Sequence, residues 1–148
     1  MLSIVCVYNN KTILEECLID SLNRQRYKEF QLVLIDNTQN TFKSMEAAFL
    51  HALSMVKGDY VAFSHQDIVF LSDDVLQHIV DEVGKIDNLG VAGVAGAPYS
   101  FKNALTVSNI LQGKKKEKAA RYDCDEFFEC QTVDECFFVV PKQVLDEY

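Results

Sequence analysis

The sequence has no long hydrophobic run: no apolar stretch in it approaches the ~18 residues that a membrane-spanning helix needs. Its opening, Met1-Leu2-Ser3-Ile4-Val5-Cys6-Val7, has neither a charged segment ahead of the apolar residues nor a small-residue cleavage site, so it does not read as a signal peptide. The expectation is an intracellular, cytoplasmic protein. Basic residues are scarce. Fourteen Lys and Arg stand against 22 Asp and Glu, a formal charge of −8, which is the wrong sign for a general nucleic-acid binder. No nucleic-acid partner is expected. The five cysteines are odd in number and not tightly paired, which fits reduced thiols better than a disulfide framework. Neither a G-x-x-x-x-G-K-[ST] loop nor a G-x-G-x-x-G after the first apolar run is present, which weakens the usual P-loop and dinucleotide readings. No internal repeat or low-complexity segment is visible.

What is there is ordinary globular material. Hydrophobic residues make up 49% and charged residues 24% of 148, which excludes disorder, collagen and coiled coil as descriptions of the whole chain. The length suits one domain able to bury roughly two-thirds of its unfolded surface. Residues 2–7 form a continuous apolar run and read as a buried strand. Ile13, Leu14, Cys17, Leu18 and Leu22 then recur at helical spacing, with Asn10 and Thr12 as candidate caps. A second strand is predicted over 30–35, a helix through Met45, Ala48, Phe49, Ala52 and Met55, and a third strand over 60–63. Asp73 and Asp74 open a helix carrying Val75, Leu76, Ile79, Val80 and Val83, where acidic residues suit the dipole. A fourth strand is predicted over 91–94, and 136–140 is the best strand of the last third. Residues 113–121 read as a polar, basic loop, and Pro141 starts a short helix. Alternating strands and helices mean a mainly parallel α/β sheet covered on both faces.

Ligands of such sheets bind beyond the carboxyl ends of the strands. Tyr8-Asn9-Asn10, Asp36-Asn37 and Ser64-His65-Gln66-Asp67 occupy those positions. A tyrosine there can stack on a base, although asparagines are also plain turn formers. A carboxylate and an imidazole two residues apart can meet one divalent ion, Mg²⁺ or Mn²⁺, with imidazole favouring Mn²⁺. The plain structural alternative is a turn carboxylate beside a hydrogen-bonded loop histidine.

Three blocks, in order and at the right spacing, resemble family 2 glycosyltransferases. They are Ser3-Ile4-Val5-Cys6-Val7-Tyr8-Asn9-Asn10 with Leu14, Cys17, Leu18, Ser21, Leu22 and Gln25; Phe30-Gln31-Leu32-Val33-Leu34-Ile35-Asp36-Asn37; and Gly58-Asp59-Tyr60-Val61-Ala62-Phe63 running into His65-Gln66-Asp67. The resemblance implies the GT-A fold and a nucleotide-sugar site, with Cys6 (through its backbone), Tyr8, Asn9, Asp36, Asn37 and Gln66 around the nucleotide. It makes Asp67 the metal-binding acid of a D-x-D motif in its His-Gln-Asp version, with His65 as the second candidate ligand. Asn37 stands where the family usually has an acid that contacts the base. Phe49-Leu50 replaces an Arg-Asn pair found near the diphosphate in other members. Asp134 and Glu135 fall near sugar and acceptor and are the candidate catalytic pair. The chain stops at Tyr148, about where the family's acceptor part begins. It therefore reads as a truncated or minimal member, a single domain over 1–148 with a nucleotide-sugar-binding half over 1–96 and a partial acceptor-side half over 97–148.

The expected activity is inverting transfer of a sugar from a nucleoside diphosphate to an acceptor hydroxyl on a glycan or lipid-linked molecule, as in surface-polysaccharide synthesis. The alternative is a non-catalytic nucleotide-sugar-binding or interaction module with the same fold. Lys114-Lys115-Lys116-Glu117-Lys118 with Arg121 is the one strongly basic stretch. It is either a solvated loop or a contact for diphosphate, anionic acceptor or the inner face of a membrane. Cys124, Cys130 and Cys136 are spaced six apart, too far for the usual structural-zinc pairs. Apolar residues over 127–140, left uncovered in a truncated domain, would favour self-association into a homo-oligomer.

Overall fold

The apolar run at the amino end becomes the central strand of the molecule. The computed structural model describes residues 1–98, 106–119, 121, 122, 127 and 129–147. Its elements, in order, are β1 (Leu2–Tyr8), α1 (Lys11–Leu14), a π-helical segment (Glu15–Ile19), α2 (Asp20–Arg24), β2 (Phe30–Asp36), α3 (Met45–Leu53), β3 (Tyr60–Ser64) and α4 (Val75–Val83). There follow β4 (Ala92–Gly93), β5 (Ala95–Pro98), β6 (Val107–Ser108), β7 (Leu111–Gln112), β8 (Glu117–Lys118), β9 (Arg121–Tyr122), β10 (Cys130–Val133), β11 (Phe137–Pro141) and α5 (Lys142–Leu145).

The main sheet has the order β2-β1-β3-β11-β4. β1 pairs in parallel with both β2 and β3, and Cys6 is in register with Leu34 on one side and Ser64 on the other. One face, with Leu2, Ile4 and Cys6, packs on Leu14, Leu18, Leu22, Leu76 and Val83 from α1, the π segment, α2 and α4. The other face, with Val5, Val33, Ile35, Val61 and Phe63, packs on Ala48 and Ala52 of α3, with Val144 and Leu145 of α5 alongside. Phe49, one half of the pair that replaces Arg-Asn, turns inward and sits 4.5 Å from the Phe63 ring, while Leu50 is 62% exposed. The amphipathic spacing thus does what it predicts: a sheet buried on both sides.

Two expectations are corrected. Residues 91–94 do not line up beside the first three strands. Only Ala92 and Gly93 pair, antiparallel to β11, which separates them from β3. A Cβ on Gly93 would lie 2.1 Å from Val133 Cγ1, so the strand is pressed against the β10 segment, and the chain turns into a second sheet of order β10-β5-β6-β9. The basic stretch over 113–121 is not simply a loop. Leu111–Gln112 and Glu117–Lys118 pair as an antiparallel hairpin whose turn takes Gly113 at φ 71° and Lys116 at φ 51°. Asp74 stands at the N-cap position of α4, where the helix is expected to open, and makes no side-chain capping bond. Its carboxylate accepts from Arg26, 2.8 Å away, and the Leu76 N–H is capped instead by Oε1 of the buried Gln25 at 3.0 Å. Cys124 lies outside the described residues. Cys6, Cys17 and Cys136 are free thiols.

Candidate nucleotide-sugar site

Parallel pairing of β1 with β2 and β3 brings Tyr8, Asp36 and Ser64 to one end of the sheet. Tyr8 and Asp36 are partners in the ladder. Burial, first, and then the neighbouring Asp36 carboxylate push the Tyr8 phenol pKa upward. Asp36 is held below the ordinary carboxylate value, chiefly by the Thr38 N–H at 2.9 Å, then by the Thr38 hydroxyl at 2.7 Å and by Tyr8. Thr38 is a partner that the sequence reading missed. Only the short Asp-x-Thr spacing, which closes an Asx turn, signalled it.

Asn37 is engaged with its own loop. Its Nδ2 donates to the Phe42 carbonyl at 3.1 Å, and its Oδ1 accepts from the Phe42 N–H at 2.8 Å. On the other side of β1, the loop after β3 reaches back. Gln66 Oε1 accepts from the N–H groups of Asn9 (3.1 Å) and Asn10 (2.9 Å), and its Nε2 donates to Asn9 Oδ1 at 2.8 Å. Asn10 is the cap chosen from the two candidates, taking the Ile13 N–H on Oδ1 at 3.2 Å.

The turn between β10 and β11 closes the third side. The His65 N–H donates to the Cys136 carbonyl at 2.9 Å, and the Asp134 carboxylate takes the Cys136 N–H at 2.9 Å. The Asp134 carboxyl pKa is lowered chiefly by the Cys136 thiol, then by that N–H, with the nearby His65 adding to it. Burial and Asp134 push the Cys136 thiol to about 12. The structure therefore brings the candidate catalytic Asp134 next to the candidate ligand His65. Glu135 is exposed in the same turn.

Asp67 is exposed, and no side chain or N–H among the described residues holds its carboxylate by a hydrogen bond. Its charge is felt below, where it follows burial in pushing the Cys6 thiol to about 12 and the Cys17 thiol upward. The Cys6 side chain is fully buried, which leaves its main chain as the part open to a ligand. Among the described residues no group of three or more His, Cys, Asp or Glu side chains could enclose a metal ion. Two candidate ligands, an imidazole and a free carboxylate, fit a cation of the Mg²⁺ or Mn²⁺ class, which is typically held by one or two protein groups plus phosphate and water. A shallow cavity of about 450 Å³ lies at the opposite end of the sheet, around Gly58, Asp59, Tyr60, Leu89 and Lys142, and contains none of these residues.

Residues 2–144 match a family described as a glycosyltransferase-like family. The chain belongs to this family. No curated protein matches it. Among solved structures, this glycosyltransferase-like chain is similar to the mannosyltransferase PcManGT from Pyrobaculum calidifontis, solved in complex with GDP-Man and Mn²⁺, at 14% identity and a TM-score of 0.65, covering 99% of this chain and 46% of that one. It is also similar to S. aureus TarS 1–349 at 15% identity and a TM-score of 0.52, covering 99% of this chain and 48% of that one. These likenesses show the GT-A fold. The chain spans about half the length of the two solved structures. Among the described residues no helix is long and apolar enough to cross a membrane.

Proposed function

We propose that this domain binds a nucleoside-diphosphate sugar across the carboxyl ends of β1, β2 and β3 and transfers its sugar, with inversion, to an acceptor hydroxyl. The observation that carries the reading is the meeting of three sheet-end segments in a glycosyltransferase-like chain: Tyr8 is paired with Asp36 in the ladder, Asn9 is bonded to Gln66, and the His65 N–H is bonded to the Cys136 carbonyl in the turn that carries Asp134. In this reading residues 1–96 supply the donor half. Tyr8 offers a ring to the base, Asp36 offers its carboxylate to the nucleotide, and the main chain near Cys6 and Asn9 lines the floor. Asp67 and His65 would hold Mn²⁺ or Mg²⁺, whose positive charge would offset the negative charge building on the departing diphosphate. The complex of PcManGT with GDP-Man and Mn²⁺ supports testing that nucleotide and that ion first.

Residues 97–148 supply part of the acceptor side. Transfer needs a base at the acceptor hydroxyl, and Asp134 and Glu135 lie in the turn that the His65 N–H ties to the donor half through the Cys136 carbonyl. Two hydrogen bonds lower the proton affinity of Asp134, which makes it the anchor of the turn and Glu135 the first residue to test as proton acceptor. The exposed hairpin turn with Lys114, Lys115 and Lys116 offers a basic surface to an anionic acceptor or to membrane headgroups. Calorimetry with guanosine, uridine and thymidine diphosphates, each with Mn²⁺ and with chelator, tests the donor half. Binding that is metal-dependent and favours one base supports the reading, while no binding of any nucleotide ends it. Release of labelled sugar from the matching donor then tests turnover.

A further inference from the structure

We infer that Gln66 is a positioning residue: its side-chain amide clasps the loop after β1 to the loop after β3, so that the nucleotide side and the metal side of the site move as one unit. The inference rests on the proposed nucleotide site but concerns how that site is held together.

A glutamine amide has two acceptor positions on oxygen and two protons on nitrogen. Here Oε1 takes the N–H groups of two successive residues, Asn9 and Asn10, and Nε2 gives one proton to Asn9 Oδ1. Three of its four positions are spent on the β1 loop, which leaves one proton for a ligand. These bonds span 56 and 57 residues of sequence, so they join loops that no local interaction connects. Each loop is pinned again on its far side. The β1 loop continues into α1 through the Asn10 cap on Ile13, and the β3 loop is tied to the turn before β11 through the His65 N–H and the Cys136 carbonyl. Gln66 is the crosspiece between these two anchored stretches. Tyr8 precedes the clasped residues directly and Asp67 follows Gln66 directly, so a slip at the clasp displaces both.

The side-chain chemistry makes this testable without turnover. Methionine keeps the length and loses all three bonds. Glutamate keeps an oxygen for both N–H groups but cannot donate, a defect that Asn9 repairs by turning its amide. With Asp at position 9 that repair fails, because two carboxylates would face each other. Amide hydrogen exchange of the ligand-free chain should therefore be about tenfold faster at Asn9 and Asn10 in Gln66→Met, near wild type in Gln66→Glu, and fast again in Asn9→Asp/Gln66→Glu. Affinity for guanosine diphosphate with Mn²⁺ should fall about tenfold in Gln66→Met while the thermal midpoint moves little, since the bonds are exposed. Asn9→Ala, which removes one bond, should lie between. Unchanged exchange in Gln66→Met, or unchanged affinity beside a wild type that binds, overturns the inference. A wild type that binds no nucleotide overturns the proposed function instead, and the exchange pattern still decides the clasp.

Discussion

Asn37 and Phe42 are joined by two hydrogen bonds running in opposite directions, from Nδ2 to the Phe42 carbonyl and from the Phe42 N–H to Oδ1. Only an amide can do both, since a carboxylate has no proton to give. Asn37 thus closes residues 37–42 of the loop between β2 and α3 on themselves. Asn37→Asp should leave the Phe42 carbonyl without its donor and set a negative charge against it, costing about 1–2 kcal/mol. Urea unfolding of the variant beside wild type measures this. An equal midpoint would mean that the clasp contributes nothing.

Asp67→Ala should abolish metal-dependent nucleoside-diphosphate binding and leave the fold intact. The diphosphate brings negative charge to a chain of net charge −8, and without a bridging cation repulsion dominates. Asp67 is exposed and makes no side-chain hydrogen bond among the described residues, so its loss should not unfold the protein. Calorimetry gives the affinity and circular dichroism the fold. Normal binding by Asp67→Ala would remove this residue from the metal site.

Acid should weaken the protein through Asp134 and Asp36. Both carboxyl pKa values are lowered from 3.8 by hydrogen bonds, from Cys136 and from Thr38 respectively. The unfolded chain therefore binds more protons than the native one between 3.8 and the lowered native values. Stability is fully present above 3.8 and is lost as pH falls through those lower values. Denaturation midpoints followed from pH 6 downward should fall less steeply in Asp134→Asn. The same slope in variant and wild type would show that the Asp134 bonds do not survive in solution.

Gly58→Ala should destabilise the domain by about 1–3 kcal/mol. A Cβ there would lie 2.7 Å from both the Met1 carbonyl and the Ser3 nitrogen, and neither main-chain atom can turn aside. The Gly58 N–H also donates to the buried Ser3 hydroxyl at 2.8 Å. Thermal unfolding measures the cost, and an unchanged midpoint would show that the two strand starts can part freely.

Glu135→Gln should reduce sugar transfer more than Asp134→Asn does at neutral pH, on the order of 10²-fold or more if Glu135 is the base. Donor affinity should change little in Glu135→Gln, because Glu135 is exposed and makes no hydrogen bond to the donor half among the described residues. A larger loss in Asp134→Asn, with its turn intact, would reverse the assignment.

Much of this protein is written in its local pattern. The apolar run of β1, the helical spacing of Leu14, Leu18 and Leu22, and the short strand before His65 each answer to side chains a few residues apart, which a linear reading can count. The rule that parallel sheets take ligands at their carboxyl ends then singles out Tyr8, Asp36 and His65-Gln66-Asp67 as candidates from the sequence alone. What the tertiary structure alone decided is who meets whom across the fold. Antiparallel β11 enters between β3 and β4, a basic stretch folds back as a hairpin through a lysine at positive φ, and Gln25 caps a helix that begins 50 residues later. Gln66 spends its amide on Asn9 and Asn10, and Asp134 comes to rest beside His65. Each of these depends on a partner distant in sequence. A hydrogen bond has a range of about 3 Å, and only the packing of the sheet between its helices brings such partners within it.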